Sequence, residues 1–355
     1  MTPTSFRWAM RHAPTGLRHL GPGPRAGATG AVARVHAALE REFGLLAPPI
    51  ALHSPHPDLL AAAWVLLRET LLVPGDLPRA EREAVAAGVS LANACPYCVQ
   101  VHGAVLGGVR GDRAGRADAA ALAADRIGAV GEPGARALAA WARSGGTGPP
   151  PVPDDQVAEV LGVALVFQYL NRMVTVFLGD SPLPASLPAR AAAPAAALLG
   201  RVLAATARRP VVAGTDLDLL PAAPLPADLG WAAGRPDLSA ALARGTAAVD
   251  RAGSAVLGPA VRAAVTAAVL AHDGRPPREA GPGWLGPVLA DLPPEDRAAA
   301  RLAAFTALTP HRVGDSVVEE FRSARPAPAD LLAVTSWAAL TAARRTVAAP
   351  APPRW

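Results

Sequence analysis

The chain has 355 residues, 51% of them hydrophobic, which is enough to bury a sizeable core without disulfides or metals. Aromatic residues make up only 4%, Ala and Leu dominate the periodic segments, and 38 Pro separate them, so the composition argues against a β-rich fold and predicts an all-α protein. A net charge of +5 and a pI near 10.3 would suit a polyanion partner, but Lys is absent and Arg is scattered singly or in pairs such as Arg208-Arg209 and Arg344-Arg345, so no nucleic-acid partner is expected.

The first thirty residues contain basic side chains but no apolar run of the length a secretion leader needs, and they read as an N-terminal extension. Residues 31–45 have helical apolar spacing, "APPIALHSP" breaks it, and "PDLLAAAWVLLRETLLV" resumes it. A helix is predicted from Pro78 to about Asn93 and another from Pro96 to the Gly107-Gly108 pair. Two short helices follow within 117–130 and 133–146. A long buried helix then begins with Asp154 or Asp155 as its cap and carries the strongest apolar window, "VLGVALVFQYL". No window reaches the ~18 uninterrupted apolar residues of a membrane span, so a cytoplasmic protein without a membrane partner is expected. Residues 31–179 thus form a first helical domain, 180–230 a Pro/Ala-rich connector with one helix, and 231–349 a second helical domain.

The two domains echo each other. Both start with Pro-Asp-Leu, at residues 57 and 236, and with one inserted residue Arg82 matches Arg262, Ala84 matches Ala264 and Val85 matches Val265. On that register Glu83 faces Ala263, Cys95 faces Arg275, and His272-Asp273 take the place of Ala92-Asn93. "VAEVLGVALVFQYLNRM" and "DLLAVTSWAALTAARRT" close the two segments alike. The prediction is two tandem pseudo-repeats, the second degenerate and without cysteines.

Both cysteines of the chain lie in "NACPYCVQVHG", residues 93–103. With Pro96 at the first helical position, Cys95 is the N-cap and Cys98 sits in the first turn, where unpaired N–H groups and the helix dipole favour a thiolate and lower its pKa. The spacing also lets the two thiols close on each other, as a dithiol–disulfide couple must. His102 follows Cys98 by four residues, so both project from one helix face and the imidazole can take the thiol proton. The preceding helix offers Glu81 and Glu83 on separate faces; Ala86, Ala87 and Ser90 share the face of Glu83 and mark it as the inward carboxylate, leaving Glu81 solvated. C-x-x-C also occurs in haem attachment, in thioredoxin-like folds and in zinc sites. Val99 replaces the His that haem attachment needs, and the flanks are helical rather than stranded. Zinc would have only Cys95, Cys98, His102 and a carboxylate. The residues alone leave three readings open: a redox couple without a cofactor, a structural zinc site, or a vestigial redox-sensing pair in a helical interaction protein.

The stretch "EREAVAAGVSLANACPYCVQVHG" resembles the signature of the AhpD-like, or carboxymuconolactone decarboxylase-like, superfamily, in which a Glu, a C-x-x-C and a His after it form a proton relay. The resemblance is good over residues 57–178, including the closing "NRM", and fainter beyond. It implies an all-helical bundle, homo-oligomers that are commonly trimers or hexamers, and thiol-dependent reduction of peroxides or of a protein or lipoyl disulfide. It further implies that Cys98 meets peroxide, Cys95 resolves it, His102 and Glu83 relay protons, and a thioredoxin-like or lipoyl protein supplies reducing equivalents. Tyr97 stands where some relatives have a second His. The decarboxylase branch lacks the cysteine pair, and the fused second half departs from a simple trimer.

Of the remaining residues, His53 and His56 read as turn residues and His311 with Asp315 as a solvated pair. Trp141, Phe167, Tyr169 and Trp337 read as core or interface anchors, and the resemblance alone adds Phe167 and Tyr169 to the wall of the thiol pocket.

Overall fold

Proline opens eight of the helices, because its fixed φ suits the first turn and its missing N–H is one that no helix start could pair. The structure, a computed structural model, describes residues 17–21, 28–183, 189–277 and 281–348, and among these every regular element is helical. The chain runs through α1 (Gly30–Ala38), α2 (Pro48–Ala51), α3 (Pro57–Leu67), α4 (Arg79–Ala92), α5 (Pro96–Arg110), α6 (Arg113–Ala123), α7 (Pro133–Arg143) and α8 (Asp154–Phe177). The connector supplies α9 (Ala189–Ala207), and α10 (Pro236–Val256), α11 (Pro259–Ala271), α12 (Leu285–Ala290), α13 (Pro294–Leu308), α14 (Asp315–Ala324) and α15 (Pro328–Val347) follow.

Helix α8 is the axis of the bundle. It is the one described helix long and apolar enough to cross a membrane, and 94% of its most apolar window is buried by protein. It packs on α4 from its own half and on α15 from the other, while α3 packs on α10. Elements that match between the halves therefore pair with each other, as they would across a two-fold axis. The matching turns are alike in detail. After α4, Ala94 takes φ 48° and the Cys95 N–H donates to Ser90 O at 2.9 Å; after α11, Asp273 takes φ 52° and the Gly274 N–H donates to Val269 O at 2.8 Å. Gly274, not Arg275, therefore stands where Cys95 stands, because α11 has 13 residues against 14 in α4.

Several sequence boundaries shift for identifiable reasons. The glycine pair does not end α5; Gly107 lies against Gly115 and Ala119 of α6, and Gly108 against Gly200 and Ala204 of α9, so both serve close helix packing. The helix stops three residues later at Gly111, whose φ of 74° costs a glycine little. Asp154 and Asp155 occupy the first turn of α8 behind an N-cap Pro153, where their charge still complements the dipole. Pro78 is likewise the N-cap of α4 rather than its first residue. Of the N-terminal extension, residues 1–16 and 22–27 lie outside the described residues. Arg18 within it binds the end of α8, its backbone N–H to Phe177 O and its Nε to Leu178 O, and His19 Nδ1 lies 3.3 Å from Asp315 Oδ1. Asp315 thus pairs with His19 and not with His311.

Gly88 is where α4 meets α7: a Cβ there would lie 2.6 Å from Ala139 O and 2.7 Å from Ala142 Cβ. Gly88→Val is expected to force the two helices apart and destabilise the fold by about 2 kcal/mol, read as a lower midpoint in urea unfolding; an unchanged midpoint would show that α7 is loosely held.

Candidate active site

Three elements converge on the thiols: α4, the turn into α5 with its first two turns, and the middle of α8. Cys95 is the N-cap of α5 and Cys98 its third residue, as Pro96 dictates. Both thiols are free and buried. Glu83 is 0% exposed. Its Oε2 accepts from His102 Nδ1 at 2.7 Å and its Oε1 from Arg79 Nε at 2.7 Å. Burial alone would push this carboxyl up, but Arg79 and His102 together hold it below the usual carboxylate value. Glu83 is therefore ionised at neutral pH and accepts the Nδ1 hydrogen of His102, which leaves Nε2 as the ring nitrogen not engaged by the carboxylate. The Phe167 ring meets the imidazole edge-on with centroids 4.4 Å apart and limits its rotation. Glu81 is half-buried and remote from this pair; burial, with Glu132 nearby, raises its carboxyl.

The expected lowering of the Cys98 thiol by the helix N-terminus is overturned. Burial of the sulfur, 3% exposed, pushes its pKa well above the ordinary thiol value, and the bond to Cys95 and its charge add to this. Asn171 acts in the opposite direction, toward the thiolate, and is outweighed. The Tyr97 phenol, also buried, is pushed upward and stays neutral.

Cys98, His102 and Tyr97 line a narrow cavity of about 40 Å³ whose other walls are apolar. Phe43, Leu45 and Ile50 form one side, Leu67, Phe167 and Leu170 another, and Leu199 and Leu203 of α9 close it. Cys95 lies behind Cys98, away from this wall. Of the two aromatic residues expected over the thiols, Phe167 is there and Tyr169 is not. Two residues along a helix is more than half a turn, and the Tyr169 hydroxyl instead meets His53 Nε2 at 2.7 Å and Ser336 Oγ at 3.2 Å. His53 is in a turn, as its Pro-flanked setting predicts, but its ring is fully buried and burial lowers its pKa to about 4. Among the described residues no three His, Cys, Asp or Glu side chains gather as metal ligands. The zinc reading thus lacks a donor set, since the carboxylate meets the imidazole rather than the sulfurs.

Sequence reasoning missed Arg79, Asn93, Gln168 and Asn171. Asn93 Nδ2 donates to Gln168 Oε1 and Asn171 Oδ1, each at 3.0 Å, and Asn171 Nδ2 donates to Ser90 Oγ at 3.2 Å. The signal for them is the placing of Gln168, Asn171 and Arg172 within an otherwise apolar run, since buried amides and charges persist only where partners answer them.

The lowered Glu83 carboxyl has a consequence for acid stability. Its contribution is fully present above the unfolded carboxylate value of 4.5 and is lost as pH falls through the lower folded value. Thermal melts of the native chain and Glu83→Gln from about pH 6 down to about pH 3 should show a gap that narrows with acid; a constant gap would contradict an ionised Glu83.

A model of the carboxymuconolactone decarboxylase family matches residues 58–144, which span α3 to α7 with the whole Glu83–Cys95–Cys98–His102 set. The chain is also 39% identical, over 333 residues and 93% of each chain, to a Mycobacterium tuberculosis protein named alkyl hydroperoxide reductase. No solved structure matches it significantly. A likeness of that extent reaches through the connector and the cysteine-less half, so the whole chain, and not the matched segment alone, belongs to the carboxymuconolactone decarboxylase, AhpD-like family.

Proposed function

We propose that this chain is a thiol-dependent peroxidase of the alkylhydroperoxidase type, working through a Cys95/Cys98 dithiol–disulfide cycle. The observation that carries the reading is the fully buried Glu83 carboxylate bonded to His102 on the helix that bears Cys98, beside an apolar cavity. Burial keeps the Cys98 thiol protonated at neutral pH, so its ionisation has to be coupled to a base at the moment of reaction. His102, held with its Nδ1 proton on Glu83, supplies that base through Nε2.

In the first step His102 takes the Cys98 proton and the sulfur attacks the terminal oxygen of the hydroperoxide. The O–O bond breaks, the sulfur becomes a sulfenic acid, and the departing alkoxide leaves as an alcohol with the proton from His102. In the second step the Cys95 sulfur attacks the Cys98 sulfur; the S–O bond breaks, water leaves and a disulfide forms. An external dithiol, on a thioredoxin-like or lipoyl protein, then exchanges with that disulfide and restores both thiols. The apolar wall around Cys98 favours an organic hydroperoxide, although a protein or lipoyl disulfide would meet the same thiols. The name of the relative supports the peroxide reading. The proposal sets the chain in a reducing cytoplasm as a homo-oligomer, with residues 31–179 as the equipped half and 231–349 as a scaffold.

Cys98→Ser is expected to abolish peroxide turnover, and Cys95→Ser to allow one oxidation per chain and then stop, counted as lost thiols and as peroxide consumed with a dithiol reductant. Undiminished turnover in both variants would overturn the assignment. Oxidation of the native chain that stops after one equivalent in the presence of reductant would favour a redox sensor. Glu83→Gln should lower kcat/KM by about a hundredfold, since the imidazole loses the carboxylate that orients it and stabilises its charged form.

A further inference from the structure

We propose that Leu199 and Leu203 of α9 are specificity-determining residues of the thiol cavity, and that they hold the substrates of Cys98 to short-chain alkyl hydroperoxides. The inference rests on the reading of Cys98 as the peroxide-reacting thiol and narrows the class of peroxide it meets.

The argument is one of space. The cavity that Cys98 and His102 line measures about 40 Å³, room for roughly one or two molecules the size of water. That takes a hydroperoxide group with a short alkyl end and leaves no place for a phenyl ring or a long chain. Apart from Cys98, His102 and Tyr97, no lining residue has a polar side chain, so most of the surface that meets the rest of the substrate is hydrocarbon.

How α9 is held decides which wall sets the limit. Leu199 and Leu203 are four residues apart, so both project from one face of the helix, and both are buried and line the cavity. The neighbouring face has Gly200 and Ala204, which lie against Ala104 and Gly108 of α5. A Cβ on Gly200 would stand 3.3 Å from Ala104 Cβ, and one on Gly108 would collide with Ala204. Residues this small bring the two helix backbones close together and leave no slack by which α9 could settle nearer.

The end of α9 is tied down as well. The Thr206 hydroxyl shares its hydrogen between Phe43 O at 2.9 Å and Leu203 O at 2.8 Å, and Arg208 Nη2, just past the helix, donates to Gly108 O at 2.8 Å. Phe43 is itself a cavity residue, so the Thr206 contact joins two of the walls. With the backbone of α9 fixed in this way, the room beside Cys98 depends on how far Leu199 and Leu203 reach across it. Both lie beyond residues 58–144, so this wall comes from a part of the chain that the family model does not cover.

The test compares ethyl hydroperoxide with cumene hydroperoxide as substrates of the full-length chain, with a dithiol reductant. The native chain should have a kcat/KM for ethyl hydroperoxide at least about tenfold higher, and Leu199→Ala and Leu203→Ala should each raise the value for cumene relative to ethyl hydroperoxide by roughly tenfold. Leu198→Ala and Val202→Ala trim buried side chains of the same helix outside the cavity lining and should leave the ratio near that of the native chain. A native chain that uses both peroxides equally, an unchanged ratio in folded Leu199→Ala and Leu203→Ala, or an equal shift in the two control variants would overturn the proposal. Where a thermal melt shows that an alanine variant does not fold, Leu199→Val or Leu203→Val decides in the same direction. A second readout needs no peroxide. In Cys95→Ser chains, where a mixed disulfide on Cys98 cannot be resolved, methyl and benzyl methanethiosulfonate bring the same reactive group and differ only in bulk. Their relative rates at Cys98, followed by intact mass, should shift toward the benzyl reagent in the same two alanine variants. If no variant consumes peroxide, the peroxidase reading fails, and this ratio alone decides the role of the wall.

Discussion

A carboxylate without solvent is expensive to bury unless both oxygens are answered, and Glu83 is answered by Arg79 on one and His102 on the other. The arrangement requires α4 and α5 to lie close along their length, which the small residues of α4 permit: Ala84, Ala86 and Ala87 are all buried. It also requires a tight turn between the two helices, and Ala94 meets that by adopting φ 48°, a conformation uncommon for a residue with a side chain. The same turn makes Cys95 the N-cap and sets Cys98 one helical turn before His102. Packing, turn and thiol geometry are thus consequences of one buried ion pair and the helix contact that shelters it.

The site is buried, and burial acts in two directions. It raises the Cys98 thiol, so no standing thiolate waits for reagents at neutral pH, and it strengthens each polar contact that remains. A solvent-exposed C-x-x-C at a helix N-terminus would be ionised more readily and react with many oxidants. Here Cys98 lines a cavity whose other walls are largely apolar, and on the proposed reading its reaction depends on a base within the protein. On the proposed reading, intrinsic reactivity is exchanged for control by His102, Glu83 and whatever the cavity admits.

Much of the fold and the centre of the site were legible in the sequence. Pro, Gly and the apolar spacing mark most helices, and Pro96 with the C-x-x-C and His102 spacing fixes the thiol turn by local rules alone. The choice of Glu83 over Glu81 followed from the small residues on its face. What local rules could not give was anything decided by a distant neighbour. The Gly107-Gly108 pair reads as a helix end, yet α6 and α9 use it for close approach. Tyr169 reads as a neighbour of Phe167, yet helix geometry sends it to His53 and Ser336. The Cys98 thiol reads as lowered by its helix, yet burial by residues distant in sequence, such as Leu199 and Leu203, pushes it upward. The cavity wall from α9 comes from a stretch that composition describes only as a connector.

The second half repeats backbone features of the first without its thiols. Its turn after α11 keeps the backbone form of the thiol turn, with Asp273 at φ 52° where Ala94 stands and Gly274 where Cys95 stands. Without a thiol to position, that turn still offers a carbonyl, and Arg172 of the first half uses it. Ala307 O supplies the second such contact from α13. The buried cation is thereby answered by two backbone carbonyls of the second half. Through Gln168 Oε1 it also ties the Asn93 and Asn171 amides to the second half. What Arg172 takes from the second half is thus two carbonyl oxygens and no side chain, a contact that depends on the turn geometry and not on the identity of the residues there.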